Sequence, residues 1–228
     1  MSGTLDLFIA INNGERNTAM EIIESGNFQA NVTDTMAGYQ FDNCEHTVFT
    51  YACYKKQEQV AILLLKRDAA YLDYVNDTCT TPLMYACAAG LDTVVHEILD
   101  RYDVNINSIN KMKTTAIEYA ISYCSYPIIE RMIMMPNINK RVADYPNSLY
   151  GRVCQYRRLS LISLMITSGF EMDENDKVDN IPIKTWMLNT YRIDYDNIYN
   201  VLNSLWRDVT PDHPKGKIVI ELVNDNHQ

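Results

Sequence analysis

Thr81-Pro82-Leu83-Met84-Tyr85-Ala86-Cys87-Ala88-Ala89-Gly90 is the stretch that decides the fold. Thr81 can cap the free N–H groups at a helix start, and Pro82 suits the first helical turn. Gly90 can take the left-handed conformation that ends a helix. A second apolar run follows, Thr93-Val94-Val95-His96-Glu97-Ile98-Leu99, and then Asp103-Val104-Asn105. The stretch therefore predicts two short helices joined by a tight turn.

The same pattern opens 34 residues earlier at Thr47, with Thr47-Val48-Phe49-Thr50-Tyr51-Ala52-Cys53 and then Val60-Ala61-Ile62-Leu63-Leu64. It opens again 34 residues later at Thr115, with Thr115-Ala116-Ile117-Glu118-Tyr119-Ala120 and then Ile128-Ile129-Glu130-Arg131-Met132-Ile133. Tyr-Ala recurs at 51–52, 85–86 and 119–120. A fixed period of this length marks a stacked array, because one helix pair cannot bury its apolar faces alone.

Weaker copies extend outward. Leu5 to Ala10, Gly14 and Met20 to Gly26 form a first unit, followed by an insertion near Gln29 to Cys44. Ser148 to Val153 with Leu161 to Ile166, ending at Ser168-Gly169, forms a fifth. Ile181-Pro182-Ile183-Lys184 resembles the opening of a sixth, with Ile193 to Trp206 as its outer helix. The expected array spans 1–207, with units at about 5–27, 47–76, 81–107, 115–139, 148–175 and 181–206. Residues 208–228 are expected to be a linker and tail, marked by Pro211 and Pro214. Lys56, Cys124, Arg157 and Thr190 stand where Gly90 does, and a side chain in the left-handed conformation there costs roughly 1 kcal/mol.

The Thr-Pro-Leu-x-x-Ala opening, Gly90, the Val94-Val95-x-x-Ile98-Leu99 helix and Asp103-Val104-Asn105 resemble the ankyrin repeat over about 5–206. The resemblance implies an all-α ankyrin-repeat solenoid of helix-turn-helix units with hairpin-like loops. It implies a non-catalytic scaffold that binds a protein partner on its concave face and loop tips. The Asn-, Ile- and Tyr-rich style, with Met84-Tyr85-Ala86-Cys87, is similar to short ankyrin proteins of large cytoplasmic DNA viruses. That similarity implies a viral protein engaging a host factor in the host-cell cytoplasm. An alternative is a substrate adaptor that recruits a ubiquitin ligase through its C-terminal tail, although this tail is short and lacks a matching helical pattern.

Composition bounds the function classes. Apolar residues make up 47% of the 228 residues and charged residues 21%, which permits a packed core and argues against disorder. The formal charge of −9 disfavours a general nucleic-acid partner, which needs a basic face. Without a long apolar run, no membrane span is expected, and Met1 to Ala10 does not read as a signal peptide. The cysteines (Cys44, Cys53, Cys79, Cys87, Cys124 and Cys154) form no Cys-x-x-Cys pair and are expected to be reduced thiols in the cytoplasm. The scattered His46, His96, His213 and His227, and the missing phosphate-loop and nucleophile motifs, point to no catalytic residue, no metal and no cofactor. The expected state is a monomer.

Carrying the family's binding positions over residue by residue gives the candidate partner contacts. The hairpin positions are His46, Asp77, Thr78, Thr80, Lys111, Met112, Thr114 and Tyr145, and the inner-helix positions are Tyr54, Lys55, Tyr123 and Tyr156. Tyr54, Tyr123, Tyr145 and Tyr156 are expected to share one face, where tyrosine offers large contact area with a polar tip; with 16 tyrosines in the chain, abundance alone is the competing explanation. Lys140 to Arg158 is a candidate basic patch or simply a solvated face.

Overall fold

The computed structural model describes residues 2–35, 38, 44–101, 104–140, 149–158, 160–170, 177–178, 180–183, 185–186 and 189. The expected outer helix at 193–206 and the tail at 208–228 lie outside these residues. The chain divides into two compact units, Met1–Met132 and Ile133–Gln228.

The first unit is built from helix pairs. Helices α1 (Ser2–Asn13) and α2 (Arg16–Ser25) form the first, α3 (Val48–Tyr54) and α4 (Glu58–Lys66) the second. The third is α5 (Pro82–Ala89) with α6 (Asp92–Arg101), and the fourth is α7 (Ala116–Tyr123) with α8 (Tyr126–Met134). Inner helices pack in the row α1, α3, α5, α7, and outer helices α2, α4 and α6 pack in a second row. Each pair is the sequence motif realised. Thr47 caps α3 and exchanges hydrogen bonds with Thr50. Thr81 caps α5 through its Oγ1, which accepts from Met84 N–H at 3.3 Å, and Pro82 takes the first turn. At α7 the buried Glu118 carboxylate accepts both the N–H and the hydroxyl of Thr115, at 2.7 and 2.9 Å. These contacts satisfy helix-start donors that would otherwise face apolar surroundings.

The core lies between the rows. Leu83, Ala86, Val94, Val95, Ile98, Ile117, Ala120, Ile129 and Met132 are buried, as are Phe8, Phe49 and Tyr51 toward the first pairs. Gly90 is required where it stands. Its φ is +70°, and a Cβ there would meet the Tyr123 carbonyl oxygen at 2.8 Å. Lys56 takes the same left-handed conformation with φ 55°, as expected for a side chain in the glycine position. Cys124 does not. Its φ, ψ of −88°, 166° is extended, and the strain expected there is absent. The chain leaves α7 straight, and the N–H of Ser125 bonds the Asp92 carboxylate of α6 at 3.1 Å.

The second unit contains α9 (Leu149–Gln155) and α10 (Ser160–Thr167), which pack together. Arg157 follows α9 with φ 54°, and Gly169 ends α10 with φ 85°. The Tyr150 hydroxyl donates to the Phe170 carbonyl at 2.9 Å. Strands β1 (Lys177–Val178) and β2 (Ile181–Pro182) form an antiparallel hairpin, Val178 opposite Ile181. Pro182 therefore sits in a strand, whereas Pro82 sits in a helical turn. Asn180, between the strands, is left-handed at φ 67°, and Ile183, Thr185, Trp186 and Asn189 after β2 are helical. Among the described residues, no helix is long and apolar enough to cross a membrane.

Candidate functional site

The segments between helix pairs are pinned by one residue type used repeatedly. Asn76 Oδ1 accepts from the N–H of Thr78 at 3.1 Å and of Thr80 at 2.8 Å, while Asn76 N–H donates to Thr80 O. Its Nδ2 donates to the Tyr85 hydroxyl at 3.0 Å. The arrangement recurs 34 residues on. Asn110 Oδ1 accepts from Thr114 N–H at 2.9 Å, and Asn110 Nδ2 donates to the Tyr119 hydroxyl at 3.1 Å. Each asparagine closes a hairpin finger and ties it to the helix that follows. The fingers are joined by a backbone bond from Lys111 N–H to Thr78 O at 2.9 Å. Cys79 and Lys113, at equivalent tips, are left-handed with φ of 60° and 57°. Asn76 and Asn110 were not singled out from the sequence, although their common period was available as a signal.

Asp34 stands in the same place in the finger enlarged by the insertion. It accepts from His46 N–H through Oδ1 at 3.0 Å, and an isolated antiparallel bridge joins Thr33 to Thr47. Asp34 has no amide donor, and its buried Oδ2 has no hydrogen-bond partner among the described residues. The corresponding Tyr51 hydroxyl donates instead to Asn12 Oδ1 at 2.8 Å.

Most of the candidate contacts are accessible. Tyr54 is 50% exposed, Met112 59% and Tyr123 56%, and Lys55, Asp77 and Lys111 are exposed. Thr78 and Thr80 are half-buried, and their hydroxyls lie 2.9 Å apart. Two candidates need correction. His46 is buried, because the Asp34 bonds and the Thr33 bridge draw it under the ring of Tyr54, stacked at 5.2 Å. Thr114 is buried because its backbone closes the finger on Asn110. Neither presents its side chain to a partner at a loop tip. Tyr54 and Tyr123 belong to the first unit; Tyr156, which is 38% exposed, belongs to the second. Tyr145 lies outside the described residues. Asp103 does too, while Asn105 Oδ1 accepts from Asn107 N–H at 3.1 Å, as a turn-forming asparagine does.

The rings around His46 form a connected wall. His46 meets Tyr51 at 5.4 Å and Tyr85 at 4.9 Å, Phe8 meets Tyr51 at 5.7 Å, and Lys55 Nζ sits 5.5 Å from the Tyr51 ring centre. The thiols split by position. Cys53 and Cys87 are buried, Cys44 is half-buried, and Cys79 is exposed. Burial pushes the Cys53 thiol far above its ordinary value. A hydrogen bond with Cys124, and then burial, does the same to Cys87. Burial, followed by the nearby Glu45 carboxylate, raises the Tyr74 phenol. No cluster of metal-ligating side chains is present among the described residues.

This arrangement of capped helix pairs and asparagine-closed fingers is the all-α ankyrin-repeat architecture. Residues 79–111 match the family model described as "Ankyrin repeat". Among solved structures, the ankyrin repeat protein EF0377 superposes with a TM-score of 0.61 at 16% identity, over 91% of this chain and 98% of that one. The ankyrin repeat domain of Bcl-3, a member of the IkappaB protein family, gives a TM-score of 0.53 at 16% identity, over 76% of this chain and 75% of that one. At these identities the likeness is one of fold. No curated protein matches the sequence.

Proposed function

We propose that this chain is a non-catalytic protein-binding scaffold whose first unit receives a partner on its inner helices and finger tips. The observation that carries this reading is the pair of exposed rings, Tyr54 on α3 and Tyr123 on α7, each with half or more of its surface open, although Tyr54 also stacks on His46. Large rings held at a wet surface favour a partner that covers them. Ankyrin repeats generally mediate protein–protein interaction, and the finger and inner-helix surfaces here are rigidly held by the Asn76 and Asn110 bonds. The similarity in sequence style to viral ankyrin proteins extends the proposal to a host-cell protein met in the cytoplasm. Affinity capture from host-cell extract with wild-type chain, a Tyr54→Ala/Tyr123→Ala variant and a chain lacking residues 208–228 tests it. The proposal expects a stoichiometric protein partner that is lost with the tyrosines and kept without the tail. A partner that depends on the tail alone, in particular a ubiquitin-ligase subunit, supports the adaptor reading instead.

A further inference from the structure

The inner-helix face of the first unit is not uniformly filled. Position by position along the repeat, Tyr54-Lys55 of α3, Ala88-Ala89 of α5 and Ser122-Tyr123 of α7 are equivalent. The middle helix of the row thus carries two methyl groups where its neighbours carry exposed rings. Both sides of this gap are tied down. On one side Tyr54 stacks on His46, which touches Tyr85, one helical turn before Ala88 and Ala89. Tyr85 is in turn fixed by Asn76. On the other side the Tyr123 carbonyl lies against Gly90, directly after Ala89. Neighbouring packed helices lie about 8–10 Å apart, so α3 and α7 stand roughly 16–20 Å from one another across α5. With each helix about 10 Å across, roughly 6–10 Å is left between the surfaces of α3 and α7, which admits one extended segment.

Charge says what kind of segment. Lys55 and Lys56 are exposed at the end of α3, and Lys111 and Lys113 on the finger before α7, against Asp73 and Asp77 on the segment before α5, half-buried Glu45 before α3 and Asp6 on α1. The outer helices bear Glu21, Glu24, Glu58, Glu97, Asp100 and Glu130 against Arg16, Lys66 and Arg131. Around the gap itself α5 carries no charge and Glu118 of α7 is buried, so Lys55 and Lys56 are the exposed charges on or directly after the three helices that line it. Local potential of opposite sign steers and orients a partner.

We propose that Ala88 and Ala89 floor a slot, walled by Tyr54 and Tyr123, that takes an acidic protein segment inserting one bulky apolar side chain between the rings while its carboxylates face Lys55 and Lys56. The proposal rests on the protein-binding reading above and narrows it to one class of partner.

The test uses the full chain and a random peptide library displayed on phage, followed by titration of the enriched sequences as synthetic peptides. The slot requires enrichment of peptides with aspartate and glutamate flanking a single Trp, Phe or Leu. Their affinity should fall about tenfold or more in Ala88→Arg, which fills the floor, and in Lys55→Glu, which reverses the rim, and stay unchanged in Glu97→Ala. Lys55 is exposed, so Lys55→Glu remains informative if Ala88→Arg disturbs folding, which the melting curves of both variants report. Basic or uncharged consensus peptides, acidic ones indifferent to Lys55→Glu, or no enrichment at all overturn the slot. A partner captured from extract that depends on Met112 and not on Ala88 or Lys55 also overturns it while leaving the protein-binding scaffold intact.

Discussion

Asn76 holds the Tyr85 hydroxyl at 3.0 Å through the same side chain whose oxygen gathers the N–H groups of Thr78 and Thr80. The oxygen must face those two backbone donors, which leaves the amide N–H₂ for the phenol. One residue thus sets the shape of a finger and its angle to the helix bearing the candidate binding face. Asn110 and Tyr119 repeat the relationship at 3.1 Å.

Removing this lock takes the acceptor from the half-buried Thr80 N–H and one hydrogen bond from the Tyr85 hydroxyl. Asn76→Ala is expected to cost about 1–3 kcal/mol, the range for stranding buried polar groups. Asp34→Asn is expected to act in the opposite direction, gaining up to about 1 kcal/mol, because it replaces a buried carboxylate oxygen, unpartnered among the described residues, with an amide N–H₂ placed like the one Asn76 gives to Tyr85. Urea melts of both variants check the two signs.

Leu83 is 2% exposed within the stack of inner helices. Leu83→Ala is expected to cost about 2–5 kcal/mol, as other buried large-to-small changes do. A loss under about 0.5 kcal/mol, the size of an ordinary surface change, would mean the repeat frame is misplaced.

Gly90→Ala combines a left-handed φ of +70° with a methyl group 2.8 Å from the Tyr123 carbonyl oxygen. Two faults on backbone atoms leave little room to relax. The expected cost is roughly 1–3 kcal/mol, read in the same melts. Far-ultraviolet circular dichroism, which reads helix content, should show the fold retained.

Cys53 and Cys87 are held neutral in the folded chain, whereas an unfolded thiol ionises near 8.5. Between that value and the raised folded value the unfolded state binds fewer protons. Stability is therefore expected to be full below about pH 8.5 and to fall as pH rises above it. Cys53→Ala should flatten that alkaline fall. With a thiol reagent at pH 8 the native chain should react at exposed Cys79, while Cys53 and Cys87 react only after unfolding.

The frame of the fold was legible because its signals are local. Thr47, Thr81 and Thr115 mark helix starts through chemistry that reaches only three residues ahead, and Lys56 keeps the left-handed turn without a glycine. What escaped was set by contacts across the repeat. Cys124 looked like a strained glycine substitute, yet an Asp92 carboxylate from the neighbouring helix pair receives the chain in an extended exit. His46 looked like a finger tip, but the insertion folds back through Asp34 and buries it. Asn76 and Tyr85 lie nine positions apart across a turn, so neither helix nor strand periodicity pairs them. The exposed tyrosines were visible in the repeat register, whereas the alanine floor between them has meaning only once the inner helices stand side by side.

The central claim is that a protein partner docks on the inner-helix face. It is tested most directly by titrating the captured partner against Tyr54→Ala, Tyr123→Ala and, on outer helix α6, Glu97→Ala. The account predicts the fold retained in all three variants, with a small fall in melting temperature for Tyr54→Ala, whose ring covers His46, weakening of binding by roughly 1–2 kcal/mol for each tyrosine change, and no change in binding for Glu97→Ala. Binding that survives both tyrosine changes and is lost with Glu97→Ala would contradict it and move the interface to the outer helices.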